Sequence, residues 1–197
     1  MPKGIPLTEE EQQRRRKEIF DASVHLFLEK GFHETSMREV AKAAEVGKST
    51  LYDYFKSKDE ILVSYFEDEI VKITQRAQEI MQQDHGVTEK LKKIMLMHMK
   101  YLVENKHTFL KLSVESQRLS IESQGQIQAK RHAYQDMIRA LIEEGIHTEE
   151  LRPINPLLAA RSVFNLLATA VFTSRPTGTP EEMLEDAFDI FFKGIQA

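Results

Sequence analysis

Ser36-Met-Arg-Glu-Val-Ala-Lys-Ala-Ala-Glu-Val-Gly-Lys-Ser-Thr-Leu-Tyr-Asp-Tyr-Phe55 is the stretch on which the reading of this chain turns. Ser36 with Glu39 forms a capping box, in which the hydroxyl serves an orphan amide and the carboxylate reaches back. Met37, Val40, Ala41 and Ala44 then share one helical face. The turn Glu45-Val46-Gly47 stops that helix, and a second of about two turns runs from Lys48 to Phe55, with Leu51 and Phe55 four apart and inward. Once Val46, Leu51 and Phe55 are turned to the core, the second helix shows Lys48, Ser49, Thr50, Tyr52, Asp53 and Tyr54. Phosphate oxygens take donors of this kind for positioning, and base edges take short polar groups. A helix-turn-helix lays the N-terminal part of its second helix in the major groove, which here means Lys48, Ser49 and Thr50. Ser36 at its cap and Lys58 at the next helix start are placed to meet phosphates beside positive helix N-termini.

Working outward, the flanks are punctuated as explicitly. Thr8 with Glu11 is another capping box, followed by Ile19, Phe20, Ala22, Leu26 and Phe27 at helical spacing and closed by Gly31, a residue at ease in the left-handed conformation. Ser57 with Glu60 opens a long helix through Ile61, Leu62, Tyr65, Phe66, Ile70 and Ile73. The remaining spacing of three and four predicts helices near 57–83, 89–105, 107–119, 123–145, 155–173 and 179–195. Asn155-Pro156 and Thr179-Pro180, the latter with Glu182, mark the last two starts. Nothing reads as a strand. The expected fold is all-α with about nine helices: a three-helix head over 1–56 and a helical body over 57–197.

The head resembles the DNA-binding domain of TetR/AcrR-type transcriptional regulators. The residues that carry the likeness are Ala22, Leu26-Phe27, Gly31-Phe32, Thr35-Ser36, Val40-Ala41, Ala44, Val46, Thr50-Leu51-Tyr52, Tyr54-Phe55 and Lys56-Ser57-Lys58. The resemblance implies a homodimer that binds a palindromic double-stranded DNA operator, and a small-molecule effector, partly apolar, that releases it. On that likeness Lys48, Ser49 and Thr50 face bases or nearby phosphates, Tyr52 and Tyr54 the backbone or a thymine methyl, and Lys58 a phosphate. Gly47 stands where the family often has serine, and Ser49 where glycine is common. Both departures bear on the operator sequence rather than on the fold.

The body offers chemistry of another sort. Ile94 to Val103 is apolar on nearly every side, which predicts burial all round. Met95, Met97 and Met99 suit an irregular pocket wall as well as an ordinary core. With His98, Phe109, Ser113, Tyr134 and Asn165, Met95 and Met99 are the candidate effector contacts. The last two predicted helices carry more apolar surface than one core contact needs. A two-fold partner covering the surplus with the same surface is the commonest solution. That predicts a four-helix dimer interface built on Leu158, Val163, Leu166, Phe188, Phe191 and Phe192.

Composition closes off other classes. There are no cysteines, so disulfides, thiol nucleophiles and cysteine-based zinc sites are excluded. The seven histidines form no HxxxH pair, and neither a Gly-rich phosphate loop nor a G-x-S-x-G elbow occurs. No catalytic role, metal or cofactor is expected. No apolar run approaches the ~18 residues of a membrane span, and no signal-like segment opens the chain, so a cytoplasmic protein is expected. Net charge is −4, but residues 1–58 carry a slight excess of cations and the remainder is acidic. Arg14-Arg15-Arg16-Lys17 reads equally as a solvated helix face or as phosphate contacts. Two other classes stay open at this point: a helical enzyme or carrier, and a protein-interaction module using the Tyr52 face.

Overall fold

The computed structural model describes residues 7–195, and among these there are nine α-helices and no strand: α1 Glu9–Lys30, α2 Met37–Ala43, α3 Lys48–Tyr54, α4 Lys58–Met81, α5 Val87–Glu104, α6 Lys106–Ser116, α7 Ile121–His147, α8 Pro156–Phe172 and α9 Pro180–Ile195. The all-α expectation holds, and the reason lies largely in the caps. The boxes at Thr8 and Ser36 both form, with side chain and carboxylate each satisfying a backbone amide. The third differs in detail. Ser57 Oγ accepts from Glu60 N at 3.1 Å, but the Glu60 carboxylate reaches one residue further back, to Lys56 N at 2.5 Å. α8 opens on Asn155, whose Oδ1 accepts from Leu158 N at 2.9 Å, and the Thr179–Glu182 pair opens α9 in the same manner.

Two local features emerge. In the α2–α3 turn the left-handed residue is Glu45, with φ 52°, while Gly47 has an ordinary φ of −66°. α7 also continues through Gly145 to His147, past the point where the sequence suggests a loop. Gly145 is buried in that helix, and a Cβ there would lie 2.7 Å from the side chains of both Leu151 and Val87. The glycine is present for close approach and not as a helix stop.

The chain divides into two compact units, each described by itself. The first, the head, takes the residues up to Phe66 together with Leu110–Gln126; the second, the body, takes Glu67–Phe109 and the residues from Ile127 onward. The division therefore differs from a cut at 56/57. The first turns of α4, with buried Ile61, Leu62 and Phe66, group with the head, and so does the C-terminal half of α6. Tethers within that unit explain the second point. Lys111 Nζ donates to Leu28 O at 2.9 Å, and Glu115 holds His33 Nε2 at 3.0 Å and Arg118 at 3.6 Å.

The head's core is Ile19, Phe27, Phe32, Val40, Leu51 and Phe55, all essentially sealed from solvent. The body's core gathers Ile73, Ala77, Leu91, Met95, Met99, Ile138, Leu141, Ala160, Val163 and Leu167 from α4, α5, α7 and α8, and α9 adds Phe191 and Phe192. α5 is not buried all round as its composition suggests: Leu96 and Val103 stand 37% exposed on its outer side.

Candidate nucleic-acid interface and buried polar cluster

The two short helices of the head are held by a small set of contacts. Thr35 Oγ1 donates to Gly31 O at 2.7 Å, which fixes the approach to α2. Val46 N donates to Ala41 O at 3.0 Å, which closes the turn into α3. Leu51 and Phe55 then anchor α3 from its inner face. Arg16 on α1 lies 4.6 Å over the Phe55 ring and donates to Ser64 Oγ at 3.2 Å. On the outer face Lys48 and Ser49 are exposed, and Thr50, Tyr52 and Tyr54 are half-buried. The Lys48 ammonium lies 5.8 Å from the Tyr52 ring centroid, so the two form one cationic and aromatic ledge.

Two of the expected phosphate contacts have work inside the chain. Ser36 Oγ accepts from Glu39 N and donates to the Glu39 carboxylate. Lys58 Nζ donates to Phe32 O at 2.7 Å and His33 O at 3.2 Å, and lies 4.8 Å over the Phe32 ring. It therefore pins the start of α4 to the α1–α2 connection. Glu39 is held at a pKa of about 2, first by Lys30 and then by the Ser36 cap. Its charge is thereby committed to Lys30.

Sorting the head's cations by partner adds two residues, Arg38 and Lys42, that sequence reasoning passed over. Arg14 and Arg15 pair with Glu18, Lys17 with Asp21, and Lys30 with Glu39. The Arg14–Lys17 run is thus largely engaged within α1 and its packing. Arg38, Lys42 and Lys48 are exposed and form no ion pair among the described residues, and all three lie on α2 and α3. The signal for Arg38 was present in the sequence: four residues on stands another cation, Lys42, and the neighbouring acid, Glu39, is claimed by Lys30.

The body brings together some of its candidates and separates others. His98 of α5, Tyr134 of α7 and Phe164 of α8 meet, with ring centroids 5.2–5.7 Å apart and Tyr134 Oη 3.4 Å from His98 Nδ1. Burial lowers the His98 pKa to about 4 and pushes the Tyr134 phenol upward, so the imidazole is neutral near pH 7. Met95 and Met99 are buried on the same helix as His98. Phe109 stacks on Phe172 at 5.2 Å. Ser113 groups with the head unit, where its hydroxyl donates to Leu110 O, and so is not part of this cluster.

Asn165 is exposed on the opposite side of α8 from the core, in a groove of about 500 Å³ that also involves Leu158, Leu166, Ile190 and Phe191. That groove also sorts the expected dimer residues. Leu158 is 63% exposed and Leu166 half-buried, whereas Val163 at 1%, Phe191 at 5% and Phe192 at 4% are sealed within the body's own core and present almost nothing to a partner. Phe188 packs edge-on against Phe192. The outermost apolar residue of α9 is instead Ile190, 67% exposed. Among the described residues no acidic, His or Cys cluster could hold a metal ion, and no helix is long and apolar enough to cross a membrane.

A helix-turn-helix with unpaired cations, joined to a helical body, defines a DNA-binding regulator. Residues 19–65 match the model for bacterial regulatory proteins of the tetR family, and residues 84–195 match the tetracyclin repressor-like C-terminal domain. The chain belongs to the tetR family and is a transcriptional regulator. It is 27% identical over 165 residues to the fatty acid metabolism regulator protein of Bacillus subtilis, covering 82% of this chain and 85% of that one. Its fold is shared with the transcriptional regulator FadR from Bacillus subtilis in complex with stearoyl-CoA, at a TM-score of 0.77 and 23% identity over 91% of this chain and 99% of that one. It is shared too with AibR in complex with isovaleryl coenzyme A and operator DNA, at a TM-score of 0.69 and 20% identity, covering 89% and 97%.

Proposed function

We propose that this chain is a homodimeric repressor that holds a palindromic operator through α3 and is released by an acyl-CoA. The observation that carries the DNA half is that Arg38, Lys42 and Lys48, exposed and without an ion pair or side-chain hydrogen bond among the described residues, all lie on α2 and α3, whereas Arg16, Lys56, Lys58 and Lys111 are engaged with hydroxyl or carbonyl oxygens. Lys48, Ser49 and Thr50 read bases, and Tyr52 and Tyr54 flank them against the backbone. Arg38 and Lys42 add phosphate contacts from α2. Ser36 and Lys58 support this face through their tethers, holding α2 and α4 in place.

The acyl-CoA half draws on the ligands named for FadR and AibR and on the character of the body. An acyl chain needs an apolar slot with few polar groups. Met95 and Met99 can repack around chains of different length, and the His98–Tyr134 pair supplies one polar contact for a thioester carbonyl. Tyr101 Oη donates to the Glu69 carboxylate, which ties α5 to α4 within the body. α4 is also the helix whose first turns belong to the head. In a dimer the two recognition helices must stand about 34–36 Å apart to enter successive major grooves on one face. An effector that prefers a different setting of α4 lowers operator affinity by its differential affinity for the two settings, and by no more. The dimer face is the α8–α9 groove, with Leu158, Leu166 and Ile190 as its apolar contacts.

The test is fluorescence anisotropy with DNA from upstream of the protein's own gene, at several salt concentrations, with and without acyl-CoAs of increasing length. Specific binding that weakens steeply with salt and is reversed by one range of chain lengths is expected. Binding that no acyl-CoA alters would remove the effector assignment and leave the DNA assignment standing.

A further inference from the structure

α3 carries one acid, Asp53, and nothing in the head's own stability calls for it. With 3.6 residues per turn, Asp53 lies roughly 200° round the helix from Leu51, which anchors α3 to the core. It is therefore the outermost side chain of the second turn. It is exposed between the half-buried Tyr52 and Tyr54, and it stands one turn beyond exposed Ser49 on the same ridge. Aspartate is a weak helix former, and this one sits in the last turn, where its charge meets the negative end of the helix. The nearest cations in sequence are turned to other work. Lys56 Nζ donates to Tyr52 O at 2.5 Å, and the Lys48 ammonium leans over the Tyr52 ring. Among the described residues Asp53 forms neither an ion pair nor a side-chain hydrogen bond.

An uncompensated acid is ordinary on a solvated face, but this one tops the ridge proposed to enter the major groove. Phosphates repel it there. An ionised carboxylate accepts hydrogen bonds and donates none, so only a base edge that offers a donor suits it. On the groove floor guanine presents the acceptors N7 and O6, thymine presents O4 and a methyl, and adenine sets its N6 donor beside the N7 acceptor. Cytosine presents its N4 amino group with no acceptor of its own alongside.

We infer that Asp53 is a specificity-determining residue that accepts a hydrogen bond from the N4 amino group of a cytosine and so fixes a C·G pair at one position of each half-site. This deepens the operator reading above and rests on it. It adds a lone acceptor to a face otherwise made of donors and hydroxyls. Discrimination then comes from repulsion as well as attraction, because guanine, thymine or adenine in that place sets an acceptor against the carboxylate.

The experiment lets the full-length protein and its Asp53→Asn and Asp53→Ala variants each select from a random duplex DNA library, with the enriched sites sequenced. Asp53 is exposed, so both variants should keep the wild-type melting temperature. The wild type should enrich a cytosine at one position of each half-site. Both variants should lose that preference and keep the rest of the motif, and asparagine, which both accepts and donates, should admit adenine there. In the best wild-type site, exchanging that C·G pair for T·A in one half-site should weaken wild-type binding by ~10-fold and leave the Ala variant within about twofold. A synthetic duplex with N4-methylcytosine at the same position is a second probe. That base keeps its pairing hydrogen and loses the one facing the groove, so the wild type should lose a similar factor and the Ala variant should not.

If the variants enrich the wild-type motif unchanged, or bind every sequence more tightly by one common factor, Asp53 is a repulsive charge only. The inference is then overturned and the operator reading stands. Wild-type binding to N4-methylcytosine as tight as to cytosine overturns it in the same way. If the wild type enriches no motif at all, both fall.

Discussion

Lys48 and His98 mark the ends of a contrast within one molecule. Lys48 stands in solvent on α3 without an ion pair. His98 is buried against Tyr134 and Phe164 and is held neutral by that burial. The head meets a ligand that is the same polyanion for every relative, so its chemistry must be worn outside, on residue types that do not belong in a core. The ligand proposed for the body resembles its own interior, so a site there would be built from the same Met and Phe residues that hold the body together. Function in the head is separable from stability, and function in the body is not.

The sharpest way to break that contrast is to damage the head's core and see whether the body follows. Phe55→Ala should cost about 3–5 kcal/mol of head stability. Amide hydrogen exchange should show the loss concentrated in residues up to Phe66 and 110–126, with operator binding gone. Uniform exchange over the whole chain would mean that the two units do not unfold separately.

Lys48→Ala should leave the melting temperature unchanged and cost about 1–3 kcal/mol of operator binding, with altered preference among operator variants. Lys58→Ala should do the reverse, lowering head stability through the loss of its two carbonyl contacts and leaving sequence preference intact. Equal effects of the two on preference would show that Lys58 also reads DNA.

In the body the corresponding probe is pH. The folded-state pKa of His98 is about 4 against an ordinary 6.5, so between these values the unfolded chain binds the proton that the folded chain refuses. This contribution is fully present above pH ~6.5 and is lost as pH falls, at roughly 1 kcal/mol per pH unit at most. Urea titrations at pH 7, 6 and 5 should show that slope, and a His98→Gln variant should lack its share of it. The smallest effect expected is a gain. Glu45 holds a left-handed conformation that asparagine tolerates better, so Glu45→Asn should stabilise the head by about 0.5 kcal/mol in thermal melts, without altering DNA binding.

The same contrast explains what could be read in advance. The helices of the head announce themselves because Thr8–Glu11 and Ser36–Glu39 are local devices, complete within four residues. The outer face of α3 is legible because Lys48 and Ser49 have no place in a core, and the structure leaves both exposed. In α8 the reading stalls. That helix is apolar on several sides, and no pattern in the sequence says that Val163 turns in while Leu158 turns out. Asn165 reads from the sequence as one more polar candidate for the effector, and it faces the external groove. Ser113 goes with the head through its neighbours' ties, Lys111 to Leu28 and Glu115 to His33, and Lys58 depends on Phe32 and His33, which lie 26 and 25 residues away.

The inclusion of residues 110–126 in the head has a practical corollary for anyone cutting or grafting the protein. A fragment ending near residue 56 leaves Leu28 O without Lys111 and His33 without Glu115, and it also discards the buried Ile61 and Leu62. A chimera that transplants this head onto a foreign body must carry two pieces of sequence rather than one. Otherwise the graft inherits a recognition helix on a scaffold missing one wall.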